Sequence, residues 1–122
     1  MKKLLYIIIA VQVVFLFACR KENEPITLKI YPQHHGAPIY GATAYIKFNT
    51  QTNAGATSNY DLNAKGSSSQ DYIRFENFPV GDIFIYCVGF DPHINMPVLG
   101  GIPYTIKSGE SGEIVIQVPV TE

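Results

Sequence analysis

Apolar residues in this sequence recur at every second position instead of at helical spacing. Past Pro25, no stretch carries apolar residues at i, i+3, i+4 and i+7 over three turns, and short alternating runs lie between clusters of Gly, Pro, Asn and Ser. Successive side chains of a β-strand point to opposite faces, so each run offers one apolar face to a core. The pattern predicts strands at 26–30, 42–48, 72–75, 83–88, 98–99, 104–106 and 114–120, with a further fragment at 60–62.

The order and length of these runs predict an all-β fold. About seven short strands joined by turn residues, in roughly 100 residues, are typical of an antiparallel β-sandwich. Pro119 has no backbone N–H to donate, which places the end of the last strand at a sheet edge. We therefore expect one seven-stranded antiparallel sandwich over residues 26–122.

Two motifs follow one another along this pattern of strands. Residues 35–46 read HGAPIYGATAYI, and residues 72–85 read YIRFENFPVGDIFI, with Val88-Gly89-Phe90 after them. They resemble the G-x-P-L-x-G-A opening and the F-x-N-L-P-x-G hairpin of carboxypeptidase regulatory-like domains. The resemblance implies a prealbumin-like (transthyretin-like, Ig-like) sandwich with an accessory instead of a catalytic role. The sequence departs from the family at 59–66, where the family often has a compact turn.

The N-terminal segment has the layout of a bacterial lipoprotein signal peptide. A basic start precedes an apolar run over 4–18, which is shorter than the roughly 20 residues that a membrane-spanning helix needs. Leu16, Phe17 and Ala18 before Cys19 resemble the lipobox, in which signal peptidase II cuts just before a lipid-modified cysteine. We expect residues 1–18 to be removed and Cys19 to carry the anchor. An uncleaved anchor helix is the alternative.

The residues after Cys19 bear on where the protein is held. Residues 19–25 are polar and predict a tether between the lipid and the domain. Arg20 stands where an inner-membrane retention signal would have Asp, which favours the outer membrane. Which side of that membrane the domain occupies stays open. The covalent lipid on Cys19 is the expected modification, and no cofactor is predicted.

Charge and cysteine content exclude other classes of function. The whole sequence has a formal net charge of −1, and removal of Lys2 and Lys3 makes the mature chain more acidic. Nucleic acid is therefore not an expected partner, because phosphate binding needs clustered Lys and Arg. Cys87 lies inside an apolar run, where a lone thiol usually behaves as a small buried hydrophobe.

No catalytic motif is present in the sequence, so we do not expect an enzyme. The histidines are His34, His35 and His93. Adjacent histidines on an extended chain point to opposite faces, so we interpret all three as solvated loop residues. A metal site would need His34 or His35 to meet Asp91 or His93 across the fold, and none is predicted.

Alternating oxygen-bearing residues at 59–63 raise the question of calcium. An EF-hand is excluded because Ala64 and Gln70 stand where Gly and Glu are required. An irregular calcium site formed by Asp61, Asn63 and Asp71 remains an alternative.

The predicted sheets carry aromatic residues on positions that face away from the core. The residues of this predicted binding face are Tyr45, Tyr72, Arg74, Phe84 and Tyr86. Tyrosines suit stacking on sugars or contact with a protein, so the pattern predicts a binding module for a glycan or an outer-membrane protein. A covering loop or simple cross-strand stabilisation would explain the same residues. A pilus-like or scaffold subunit that assembles through a sheet edge is the alternative function.

Overall fold

The computed structural model describes residues 24–122. The signal peptide, the lipobox residues Leu16, Phe17, Ala18 and Cys19, and tether residues 20–23 lie outside the described residues. Within 24–122, no helix has the length and apolar character needed to cross a membrane.

The described part of the chain is all-β. The strands are β1 (Ile26–His34), β2 (Ala37–Pro38), β3 (Thr43–Phe48), β4 (Leu62–Lys65), β5 (Ile73–Phe75), β6 (Gly81–Asp91), β7 (Met96–Ile106) and β8 (Gly112–Pro119). A short 3₁₀ helix, Thr57–Asn59, precedes β4.

The strands form two sheets. In the first sheet, β1 pairs antiparallel with β2 and β5 along one edge and parallel with β8 along the other. The second sheet has the order β4-β3-β6-β7 and is antiparallel throughout. The antiparallel prediction therefore fails at β1–β8. The chain passes from the second sheet to the first between β7 and β8, so β8 enters beside β1 in the same direction, as parallel pairs require a crossover.

The inner faces of the two sheets share one hydrophobic core. Its members alternate along the strands as the sequence predicts, and they include Ile26, Leu28, Ile30, Ala44, Ile46, Ile83, Ile85, Cys87, Ile116 and Val118. Burying one such aliphatic side chain contributes about 1.5–3 kcal/mol. The period-two runs thus supply the apolar face that holds each sheet to the other.

Eight strands are present where the sequence predicted seven. The predicted pieces at 98–99 and 104–106 belong to one strand, β7, which pairs with β6 along its whole length. Its two prolines, Pro97 and Pro103, fit because β7 is the edge of its sheet. The two-residue strand β2 has no apolar alternation and left no pattern to detect.

The connection between β5 and β6 is not the hairpin that the sequence motif implied. β5 pairs with β1, whereas β6 pairs with β3 and β7, so residues 76–80 cross between the sheets. Phe78 holds this crossing in place, since its ring packs 5.6 Å from that of Phe48 and its N–H donates to the Ile26 carbonyl at 2.9 Å. Gly81 has a φ of 129°, the positive value expected at this turn.

Candidate functional site

The structure divides the five residues of the predicted binding face between two sheets. Tyr45, Phe84 and Tyr86 lie on the outer face of the second sheet. Tyr72 and Arg74 lie at β5, on the outer face of the first sheet. Because the two sheets pack through their inner faces, these outer faces point away from each other. The five residues therefore do not form one surface.

A loop covers the outer face of the second sheet. From this loop, residues 49–61, Tyr60 stacks on Tyr86 with ring centroids 5.8 Å apart and lies 5.9 Å from the ring of Tyr45. Both of those tyrosines are half-buried, and Phe84 is only 8% exposed. The covering loop that the sequence left as an alternative is what the structure contains.

The aromatic residues of the first sheet contact one another along the strands. The rings of Tyr72 and Tyr31 have centroids 5.6 Å apart, and the Lys29 ammonium lies 4.6 Å from the centroid of Tyr72. Arg74 pairs with Glu76 at 3.1 Å. Cross-strand aromatic and cation–π contacts of this kind stabilise a sheet.

Asp61 joins the covering loop to β3. Its Oδ2 accepts the Phe48 N–H at 2.9 Å, and its Oδ1 accepts from Lys47 Nζ at 3.3 Å. The Phe48 N–H, together with Lys47, lowers the pKa of the Asp61 carboxyl. Asn63 lies on β4, and Asp71 lies on the connection between β4 and β5. Both Asp61 oxygens have partners within the protein, and calcium binding by these residues stays a prediction.

Cys87 is fully buried in β6. Burial raises the pKa of its thiol to about 12. A thiol with that pKa is protonated at neutral pH and is a poor nucleophile, so Cys87 acts as a core residue.

One end of the fold brings together groups that are far apart in sequence. β1 begins at Ile26, beside the tether, and its nine residues end at His34, about 30 Å away. The turn between β1 and β2, the turn between β6 and β7, and residues 120–122 meet there. We call this region, residues 34–40, 90–96 and 120–122, the distal end.

A two-residue turn at the distal end places two histidines side by side. His35 and Gly36 have φ values of 51° and 80°, and His34 pairs with Ala37 across the turn. Positive φ at both central residues defines a type I′ turn. The chain is therefore not extended at His35, and the rings of His34 and His35 lie 4.2 Å apart. The prediction of opposite-facing histidines was wrong for this reason.

His34 is buried between two carboxylates. Its Nδ1 donates to Asp91 Oδ2 at 2.7 Å, and its Nε2 donates to Glu122 Oε2 at 2.6 Å. The hydrogen bond to Asp91 is the main cause that raises the pKa of His34, and the same bond lowers the pKa of Asp91. His34 is 4% exposed, so its interpretation as a solvated loop residue was wrong. The meeting with Asp91 that a metal site would need does occur.

An open cleft lies next to this histidine at the distal end. Its volume is about 360 Å³, and it is lined by Ala37, Pro38, Tyr40, Phe90, Asp91, Pro92 and His93. Tyr40 is 53% exposed and Phe90 is 49% exposed. Aromatic side chains that stay exposed around a concave surface are typical of a binding site.

Comparison with known proteins finds little similarity. No protein-family model matches the chain, and no curated protein matches it. Among solved structures, the chain is similar to the crystal structure of a DUF4876 family protein from Bacteroides thetaiotaomicron VPI-5482, at 16% identity and a TM-score of 0.41. The match covers 80% of this chain and 24% of that one, so this chain spans about a quarter of that protein's length.

Proposed function

We propose that this chain is a lipoprotein of the cell envelope, anchored through Cys19 to the outer membrane, and that its non-catalytic β-domain is a binding module. The lipobox sequence Leu16–Cys19 supports the anchor. Two sheets around one core, together with the two sequence motifs, support a prealbumin-like sandwich. The buried, protonated thiol of Cys87 supports a role other than catalysis.

The observation that carries the binding role is the cleft with Tyr40 and Phe90 at the distal end. Anchoring at Cys19 directs the start of β1 toward the membrane, so the distal end projects away from it. A cleft of about 360 Å³ fits a small ligand, whereas a stable protein interface needs about 800 Å² on each partner. Aromatic rings beside polar groups suit the face of a sugar. We therefore propose a glycan as the ligand.

Substitution of Tyr40 or Phe90 with alanine tests this cleft. We expect each variant to bind a glycan about tenfold more weakly, since loss of one aromatic contact costs about 0.5–1.5 kcal/mol. The measurement is binding of the full chain in detergent to a panel of mono- and oligosaccharides, followed by titration of the best binder.

Tyr86→Ala is the matched control, because Tyr86 lies under the covering loop and outside the cleft. Its glycan affinity should stay unchanged even where its melting temperature falls. Loss of binding in Tyr86→Ala, with an unchanged melting temperature, would return the ligand to the face of β3 and β6. A full chain that binds no saccharide but cross-links to an envelope protein through position 40 would make the partner a protein.

A sheet edge favours the alternative of an assembly subunit. Among the described strands, β8 pairs with β1 alone, so its other side offers unpaired backbone groups to a second chain. Assembly through this edge predicts oligomers that grow with concentration in light scattering. A monomer over the whole accessible range, which the binding module predicts, would exclude it.

A further inference from the structure

We propose that His34, His35 and Glu122 form a Zn²⁺ site at the distal end. The ligand atoms of these three residues all lie within 4.8 Å of one another. The three residues come from a turn and from a segment more than eighty positions away, so no sequence motif marks them. The site does not depend on the glycan proposal, although it lies at the same end of the molecule.

The type I′ turn supplies the two nitrogen ligands. His34 closes β1, and His35 occupies the first central position of the turn with a φ of 51°. Their rings lie 4.2 Å apart between centroids. The hydrogen bond from the Ile39 N–H to the Pro32 carbonyl at 3.0 Å holds the two arms of this hairpin together. Both imidazoles are therefore positioned by backbone geometry.

Backbone pairing on two strands positions the carboxylate ligand. The Val120 N–H donates to the Gln33 carbonyl at 2.9 Å, and Thr121 exchanges two 2.8 Å hydrogen bonds with Leu99. These contacts place Glu122 Oε2 2.6 Å from His34 Nε2. Two ligands on one tetrahedral zinc lie about 3.3–3.5 Å apart, given metal–ligand distances of about 2.0–2.2 Å. The Glu122 side chain is 48% exposed and is free to shift by that difference.

Asp91 orients His34 for this role. It holds Nδ1 at 2.7 Å, which leaves Nε2 directed toward Glu122 and His35. Asp91 is itself 4% exposed and is fixed by the His93 backbone N–H at 2.9 Å. A histidine whose other nitrogen is bonded to a carboxylate is the usual arrangement of a zinc-ligating imidazole.

The donor set selects the class of metal. Two imidazole nitrogens and one carboxylate suit zinc, whereas calcium takes six to eight oxygen ligands. The charges of Asp91 and Glu122 balance those of a divalent cation. His35 and Glu122 are exposed, so an ion can enter from solvent, and the fourth position stays open for water.

Titration of the metal-stripped full chain with ZnCl₂ tests the site. The protein is kept in detergent, carries no histidine tag, and is followed by calorimetry. We expect one ion per chain, and we expect His35→Asn to weaken binding about 100-fold or more, with Asp91→Asn weakening it about 10- to 100-fold. Asn tolerates positive φ and suits a type I′ turn, so His35→Asn should keep the hairpin.

His93→Asn is the matched control, because it removes a histidine of the distal end that is outside the ligand set. Its zinc affinity should equal that of the unchanged chain, and excess Ca²⁺ should not compete. Unchanged affinity in His35→Asn, an equal loss in His93→Asn, or no uptake at about 0.1 mM free Zn²⁺ would each overturn the proposal.

Discussion

Replacing Cys19 with alanine should move nearly all of the protein from the membrane fraction to the soluble fraction. Acylation of Cys19 is the proposed anchor, and each buried methylene of an acyl chain contributes about 0.8 kcal/mol, so several chains hold a protein firmly. Without the cysteine, no residue of the lipobox can carry the lipid. The measurement is fractionation of cells together with metabolic labelling by a fatty acid.

Cys87→Ala is the control for this experiment, because it removes the other cysteine of the sequence and leaves the lipobox intact. That variant should stay in the membrane fraction and keep the label. Cys19→Ala protein that stays in the membrane and retains residues 1–18 would indicate the uncleaved anchor helix instead.

Protease treatment of intact cells then locates the domain. Digestion would place it on the outside of the cell, with the distal end available to external glycans. Protection until the outer membrane is breached would place it in the periplasm and direct the search for a ligand to envelope components.

Replacing Gly100 with alanine should lower the free energy of unfolding by about 2–3 kcal/mol. A Cβ at this position would lie 2.2 Å from the carbonyl oxygen of Pro119 and 3.0 Å from the Cα of Val120. Both atoms are backbone, and the double hydrogen bond between Leu99 and Thr121 holds that backbone against β7. Relief of the clash requires breaking this contact and disturbing the buried side chain of Val120.

Thermal and urea denaturation measure this effect. For a domain of this size, the expected fall in melting temperature is roughly 10–20 °C. Leu99→Ala, at the half-exposed neighbour on the same strand, should change stability by about 0.5 kcal/mol. Equal stability of the two variants would show that residues 119–121 do not pack on β7 in solution.

The strands that the sequence predicted are those whose apolar alternation lies on one buried face. β1, β3, β6 and β8 each place every second residue in the core, and that pattern is local. The parallel pairing of β8, the crossing at Phe78 and the continuity of β7 were missed. Each depends on which strand lies alongside which, and alternation within a single strand carries no information about its neighbour.

The candidate site was less accessible to sequence reasoning than the fold. Outward direction was correct for Tyr45, Phe84 and Tyr86, but direction does not determine exposure, because Tyr60 and its loop cover them. The histidine cluster was missed because His34 meets Asp91 across 57 positions. One local signal was available, since His35-Gly36 places a residue that tolerates positive φ before glycine, as hairpin turns do.

The sequence by itself determined the all-β class, the inward residues and the predicted lipid address. Those properties follow from residue spacing and from a contiguous motif at Leu16–Cys19. The tertiary structure alone decided the pairing of strands, the covering of the aromatic face and the assembly of the distal end. These depend on contacts between residues far apart in the chain, whose geometry is set only when the two sheets close around their common core.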